Sequence, residues 1–286
     1  MKIKLSAFFL VGFLACWLTT VSAAEALAAD TKPPLNIKGG VFKQGGYVYG
    51  TTHPDATLKL LQTKIKVGED GRFIAGLHRY FPEQGVFKVA RPGEKIQKVP
   101  FEVESRDYPT QHIKGVKRKH VTPDPEQVKR SRREAAAIRA SRAPFTALDA
   151  AFGGFSLPVK GVPETGFYGS RRTFNGEERS WHKGLDLAAP TGTPIKAPAD
   201  GVVTEALPNT FFNGNIMTIN HGYGLFSIYA HLDSMALEKG AAVREGEVIG
   251  TVGATGRATG PHLHWGVYWH NVALDPQLFL RHNGGK

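Results

Sequence analysis

The amino-acid sequence predicts a mainly β protein in which two β domains are joined by a basic, partly helical segment. Three observations lead there. Residues 36–105 hold short alternating or β-branched runs separated by Gly, Pro and Asp turns. Residues 106–144 are rich in Lys, Arg and helix formers. From 145 to 280, Gly, Pro and β-branched residues return and helical periodicity almost vanishes. At 286 residues the chain is long enough for two compact domains, since domains commonly run to roughly 100–200 residues. Hydrophobic residues at 41% and charged residues at 21% are globular values and exclude wholesale disorder.

The N terminus reads as a secretory signal peptide over residues 1–23. Lys2 and Lys4 precede an apolar run from Leu5 to Leu18, and the small residues Val21-Ser22-Ala23 follow. The run is too short for an ordinary span of about 20 residues, so no transmembrane segment is expected after cleavage. The expectation is export to the periplasm, with an extracellular location or a lipid anchor on Cys16 as alternatives. Cys16 is the one cysteine and lies in the apolar run, so the mature chain would have no disulfide. The formal net charge of +11 favours polyanionic partners. Export removes nucleic acid from that group and leaves anionic wall or outer-surface polymers.

Within 36–105, strand candidates are 41–50, 57–62, 65–67, 73–77, 86–89 and 96–103. Turns are expected at Gly39-Gly40, His53-Pro54-Asp55 and Glu69-Asp70-Gly71. Six or seven such strands predict a small β-sandwich-like accessory domain. The stretch Gly50 to Leu60, with Glu69 to Phe73, resembles secreted immunoglobulin-like add-on domains and carries no chemistry; His53 and His78 read as surface residues.

Between Gln111 and Arg142, ten Lys and Arg stand against Asp124, Glu126 and Glu134, a net of +7. Thr122-Pro123 is a plausible helix start, and residues 126–141 are helix formers up to Pro144. The segment is expected to be a basic linker carrying one exposed helix, either simply solvated or a docking surface for polyanions.

In 145–280, strand candidates are 201–206, 215–220, 225–230, 248–252 and 264–269, an all-β domain. Three short stretches within it carry histidines: His182-Lys183-Gly184-Leu185-Asp186, Tyr229-Ala230-His231-Leu232 and His262-Leu263-His264. Alternate residues of a strand share a face, so His262 and His264 point one way and Leu263 the other; His182 and Asp186 would be co-facial on a strand too. A single histidine is usually a surface or hydrogen-bonded core residue. Four histidines and an aspartate in three stretches point instead to a zinc site, because zinc favours imidazole and carboxylate ligands and a catalytic site uses three of them.

These stretches, with Gly166-Phe167-Tyr168-Gly169-Ser170-Arg171, the Ala197-Pro198-Ala199-Asp200-Gly201 turn, Val248-Ile249-Gly250, and Gly253, Thr255 and Gly256, closely resemble the lysostaphin-type (LytM-type) zinc metallopeptidases. The resemblance covers residues 160–278. It implies an open two-layer β domain with a groove and hydrolysis of the peptide cross-links of bacterial peptidoglycan. It also implies one Zn2+ held by His182, Asp186 and His264. His231 and His262 are then left beside the open position as catalytic residues whose roles the sequence does not divide. Arg171, Phe211, Asn213, Trp265 and Tyr268 are candidates to line the groove, and His221 is expected to be structural. His112 and His270 have no supporting pattern.

Two other classes fit less well. A catalytically inactive wall-binding regulator that activates a separate amidase would lack part of the constellation, and here every position is filled. The run Gly240 to Gly250 is also similar to biotinyl and lipoyl carrier domains, but no lysine sits in the exposed hairpin that such carriers need.

Overall fold

Alternating buried and exposed side chains build two small sheets at the N-terminal end of the computed structural model, which describes residues 34–281. The signal peptide expected at 1–23, with Cys16, lies outside the described residues. Strands β1 (Leu35–Val41), β2 (Tyr47–Thr52) and β5 (Arg72–Gly76) form one antiparallel sheet. Strands β3 (Thr57–Leu60), β4 (Thr63–Ile65), β6 (Gln84–Ala90) and β7 (Gln97–Glu102) form the other, in the order β4-β3-β6-β7. In β6 the residues Gly85, Phe87 and Val89 face inward, and Phe73 of the first sheet meets Phe87 edge-on at 5.6 Å between centroids. The Gly39-Gly40 turn is a correction: both glycines lie inside β1, at a register shift, and the chain reverses at 42–46. The Tyr49 ring occupies the space a Gly39 side chain would need, so these glycines serve a close strand crossing rather than a reversal.

The basic segment is built into the fold. Strand β8 (Thr110–Ile113) pairs in parallel with β10 (Arg171–Phe174), which also pairs with β11 (Glu177–Arg179). A single turn, α1 (Arg118–Val121), precedes α2 (Pro125–Ala140). That helix starts at Asp124-Pro125, not at the expected Thr122-Pro123: the Asp124 carboxylate accepts from Gln127 N–H, the Gln127 side chain accepts from Asp124 N–H, and Pro125 fills the first helical position. The helix is also not simply exposed. Ile138 packs against Ile216, Ile228 and Ala230. Just beyond its end, Arg142 donates to His270 O (2.8 Å) and Asn271 Oδ1 (3.1 Å).

The C-terminal part is one ten-stranded sheet. Its main path comprises β17 (Ala242–Val243), β14 (Gly201–Thr210), β15 (Gly214–Gly222), β16 (Leu225–Met235), β19 (Leu263–Trp269), β12 (Leu185–Leu187) and β9 (Glu164–Gly166), in that order. Off this path, β18 (Val248–Val252) pairs with both β13 (Pro194–Lys196) and β16, and β20 (Val272–Leu274) pairs with β19. All five strands expected from the sequence are present, and the protein is mainly β as predicted.

One continuous core runs from the N-terminal sheets into the large one, and residues 34–281 belong to a single compact unit. Tyr47 stacks on Phe279 at 4.2 Å, an aromatic contact of the kind that adds about 0.5–1.5 kcal/mol beyond area burial. Tyr223 donates to Asp70 Oδ2 (2.7 Å), and Arg106 donates to the buried Asp275 Oδ2 (2.8 Å). Among the described residues no helix is long and apolar enough to cross a membrane.

Candidate metal centre and groove

The candidate ligands come from neighbouring strands whose register sets them together. Asp186 on β12 is directly opposite His264 on β19, and His264 is opposite Ala230 on β16, one residue before His231. Alternation along β19 turns Leu263, Trp265 and Val267 fully into the core and His264 and Tyr268 toward the groove. His182 is not on a strand with Asp186. It precedes β12 in a loop pinned by His182 N–H to Ser170 O (2.8 Å) and by Gly169 N–H to His182 O (2.8 Å). Gly184 then lets the loop close: a Cβ there would sit 2.8 Å from His264 Cε1 and collide with the Trp265 carbonyl.

Three ligand atoms converge. His182 Nε2 lies 3.0 Å from Asp186 Oδ1 and 2.9 Å from His264 Nδ1, and His264 Nδ1 lies 2.8 Å from Asp186 Oδ1. The surroundings fit a metal ion. Phe167 O, which can only accept, takes the Nδ1 proton of His182 (3.1 Å) and leaves the Nε2 lone pair facing the cluster. Burial, opposed by the Asp186 charge, pushes His182 down to about 4, so it is neutral at pH 7. Burial works against ionisation of Asp186, but the adjoining His182 and His264 outweigh it and hold the carboxyl well below its ordinary range. Neutral imidazole and ionised carboxylate are the forms that bind metals. A triangle with sides near 2.9 Å also leaves a point about 2.0–2.1 Å from all three atoms, roughly 1.2 Å out of their plane, the bond length of zinc and similar ions.

His231 and His262 stand beside this set. Their rings are 4.8 Å apart between centroids, and His231 is 6.2 Å from His264. His231 has φ 65°, a left-handed conformation that costs a non-glycine residue roughly 1–3 kcal/mol. It sits where β16 carries one residue more than β15 between the pairs Met217↔Tyr229 and Asn215↔Leu232, a bulge that re-aims its side chain. Thr255 O accepts its Nδ1 proton (2.8 Å), and Gly260 O accepts that of His262 (2.9 Å). Both rings therefore keep an Nε2 lone pair free to take a proton. Burial, with His262 and His264 next to it, pushes His231 down to about 3.

Around these groups is a groove of about 590 Å³. Asn213 and Tyr268 line it as expected, but three candidates do not. Trp265 is fully buried on the opposite face of β19. Phe211 turns inward against His120, and its neighbour Phe212 faces the groove. Arg171 points to solvent while Arg172, on the other face of β10, lines the groove and donates to Asp186 Oδ2 (2.6 Å). Arg172 is held in turn by Gln111 Oε1 (3.1 Å) on β8. His112, on the same strand, lines the groove and contacts Thr173 Oγ1 (2.9 Å). Arg172, Gln111, Phe212 and Arg257 were not legible as site residues; the adjacency of Arg257 to Thr255 and Gly256 was the one available signal. His221 is buried outside the cluster, between Asp200 O and Ser227 Oγ at 2.7 Å each.

Two histidines and a carboxylate in an open groove on a mainly β scaffold define the class as a protein with a candidate metal centre. Residues 180–276 match peptidase family M23. Over 95 residues the chain is 51% identical to the DD-carboxypeptidase/endopeptidase Mpg of Neisseria meningitidis serogroup B, covering 33% of this chain and 22% of that protein. Over 96 residues it is 43% identical to the peptidoglycan DD-endopeptidase ShyC of Vibrio cholerae, covering 34% and 22%. The matches thus span about a fifth of the length of these curated relatives. A solved Pseudomonas aeruginosa structure described as a peptidase M23 is 30% identical, with a TM-score of 0.64 over 84% of this chain and 95% of that one. The chain belongs to peptidase family M23, the family to which the histidine motifs pointed.

Proposed function

We propose that this chain is a zinc-dependent endopeptidase that is exported to the periplasm and hydrolyses the peptide cross-links of peptidoglycan. The observation that carries this reading is the convergence of His182 Nε2, Asp186 Oδ1 and His264 Nδ1 within 3.0 Å of one another. Two imidazoles and one carboxylate suit zinc, and an ion held there would polarise a peptide carbonyl and acidify a water. The chain's own residues supply the rest. Arg172 fixes the Asp186 carboxylate, and the Phe167 carbonyl fixes the His182 tautomer. His231 and His262 present Nε2 lone pairs from rings anchored at Nδ1, so either can take the proton of an attacking water and return it to the leaving amine. The names of the relatives Mpg and ShyC support peptidoglycan as the substrate.

A regulator without catalysis gains no support, since the candidate ligands and both further histidines are in place. The test is to incubate the zinc-loaded chain with purified peptidoglycan and identify released peptides by mass. Cross-linked dimers should fall to monomers, with loss of the effect on chelation. Undiminished cross-links, or cleavage that His264→Ala leaves intact, would overturn the proposal.

A further inference from the structure

Arg257 has no role in the chemistry above, yet its guanidinium is set into the wall of the groove. It lies over two aromatic rings, Phe212 at 4.4 Å and Phe174 at 4.8 Å, and its backbone N–H is tied to Phe212 O (2.9 Å). Gly256, just before it, has φ 71° and leaves no room for a side chain against Gly214 and Phe212, so the loop holds Arg257 in one place. The neighbouring guanidiniums are occupied: Arg172 by Asp186 and Gln111, and Arg179 by Glu177 Oε2 (2.5 Å) and Val121 O (2.7 Å). Among the described residues no carbonyl or carboxylate accepts a hydrogen bond from the Arg257 side chain. Asp186 is the one carboxylate among the residues lining the groove, against Arg172, Lys183 and Arg257.

A half-buried cation with no hydrogen-bond acceptor among the described residues is costly, and burial, with the charges of Arg172 and Arg179, pushes its guanidinium down to about 10. The planar fork, backed by two rings, offers paired N–H donors matched to a carboxylate. We infer that Arg257 is a specificity residue that binds a carboxylate of the peptide substrate in the groove beside the metal centre. The inference deepens the proposed function and rests on it for the identity of the ligand as a wall peptide. Two sources share this chemistry: the free side-chain carboxylate of a diamino acid and the C-terminal carboxylate of D-alanine.

The test is a calorimetric titration of the full chain with three probes. One is a peptide of a diamino acid joined to D-alanine, bearing both carboxylates; the other two have one or the other converted to carboxamide. The wild type should bind the diacid roughly 10- to 100-fold more tightly than the analogue lacking the recognised carboxylate, the range for a charge-assisted hydrogen bond. Which analogue suffers identifies the source. In Arg257→Gln the preference should collapse to about twofold or less, and Arg257→Lys should retain part of it. If Arg257→Gln does not fold, Arg257→Lys decides, since it must weaken the preference several-fold. Absence of preference in the wild type, failure of all three peptides to bind, or a preference that survives in Arg257→Gln overturns the inference. Preferential binding without wall cleavage would count against the proposed function alone, and cleavage without preference against this inference alone.

Discussion

Gly184→Ala should damage the candidate metal centre while leaving every candidate ligand in the sequence. The added Cβ would lie 2.8 Å from Cε1 and 3.0 Å from Nε2 of His264, and it would meet the Trp265 carbonyl at a distance real side chains do not show. Ordinary contact begins near 3.4 Å, so the His264 ring must retreat by about 0.6 Å, and the carbonyl by more. That carbonyl belongs to the ladder in which Leu185 faces Trp265 and Asp186 faces His264, so the shift falls on two candidate ligands at once. Metal sites tolerate ligand displacements of about 0.2 Å. Zinc affinity should therefore fall by at least about 10- to 100-fold, while the overpacking itself costs about 1–3 kcal/mol of fold stability. Affinity would be measured by competition with a chromogenic chelator, and fold stability by urea unfolding in excess chelator. Wild-type zinc affinity in a folded Gly184→Ala protein would refute the placement of the cluster against β19.

His264→Ala should lose zinc and activity together, because two protein ligands remain, whereas His231→Ala should keep zinc and lose roughly 10² to 10⁴ in turnover; elemental analysis with peptide cleavage separates them. In chelated protein, stability should fall as pH drops. Burial lowers His221 from 6.5 to about 4, so the unfolded chain binds more protons in that interval. Its contribution is complete above about 6.5 and lost by about 4, worth about 3 kcal/mol. His182 and His231 titrate in the same direction, so His221→Gln should make the slope of unfolding free energy against pH shallower without flattening it. On α2, Lys129, Arg132 and Arg133 are exposed, whereas Arg130 bonds Glu134 (2.7 Å) and the Asn209 carbonyl. Replacing the first three by Gln should weaken wall sedimentation several-fold at low salt, and cleavage of a short peptide should stay unchanged; equal loss of both would show that the helix supports the site.

What the sequence made legible was whatever local periodicity controls. A two-residue repeat put His262 and His264 on one side of Leu263, and β19 bears this out. The same repeat places Trp265 with Leu263, inside, and so out of the groove. Tyr268, four residues from His264, obeys it. Arg171 and Arg172 differ for another reason. Adjacent strand residues face opposite ways, and which one meets the groove depends on the parallel pairing of β10 with β8. The composition of residues 106–144 gave no sign of a strand, because Thr110 to Ile113 are only half buried and sit among charges. Likewise, His182 and Asp186 were expected to share a strand; they meet instead because a loop closes over Gly184, a tertiary contact invisible to spacing.

The groove therefore has two origins in the chain. The candidate ligands, both further histidines and Arg257 all fall within residues 180–276, the part that matches the family. Gln111, His112, Ile113, Val116, Arg172 and Phe174 line the same groove from outside that match. One of these, Arg172, reaches the Asp186 carboxylate, and another, Phe174, backs the Arg257 guanidinium. Gln111 in turn holds Arg172, so the basic segment, whose charge suggests a solvated tether, supports a candidate ligand at one remove and shapes the wall against which a substrate would lie. Its ten cations divide accordingly: Arg130 and Arg142 are tied into the fold, while Lys114, Lys117, Arg118 and Lys119 ahead of α2 and Lys129, Arg132, Arg133 and Arg139 on it stay exposed. Only the exposed group is available to polyanions. Within the groove the cationic balance over Asp186 comes from both origins, Arg172 from one and Lys183 and Arg257 from the other, so preference for an anionic peptide is a property of their juxtaposition rather than of either stretch alone.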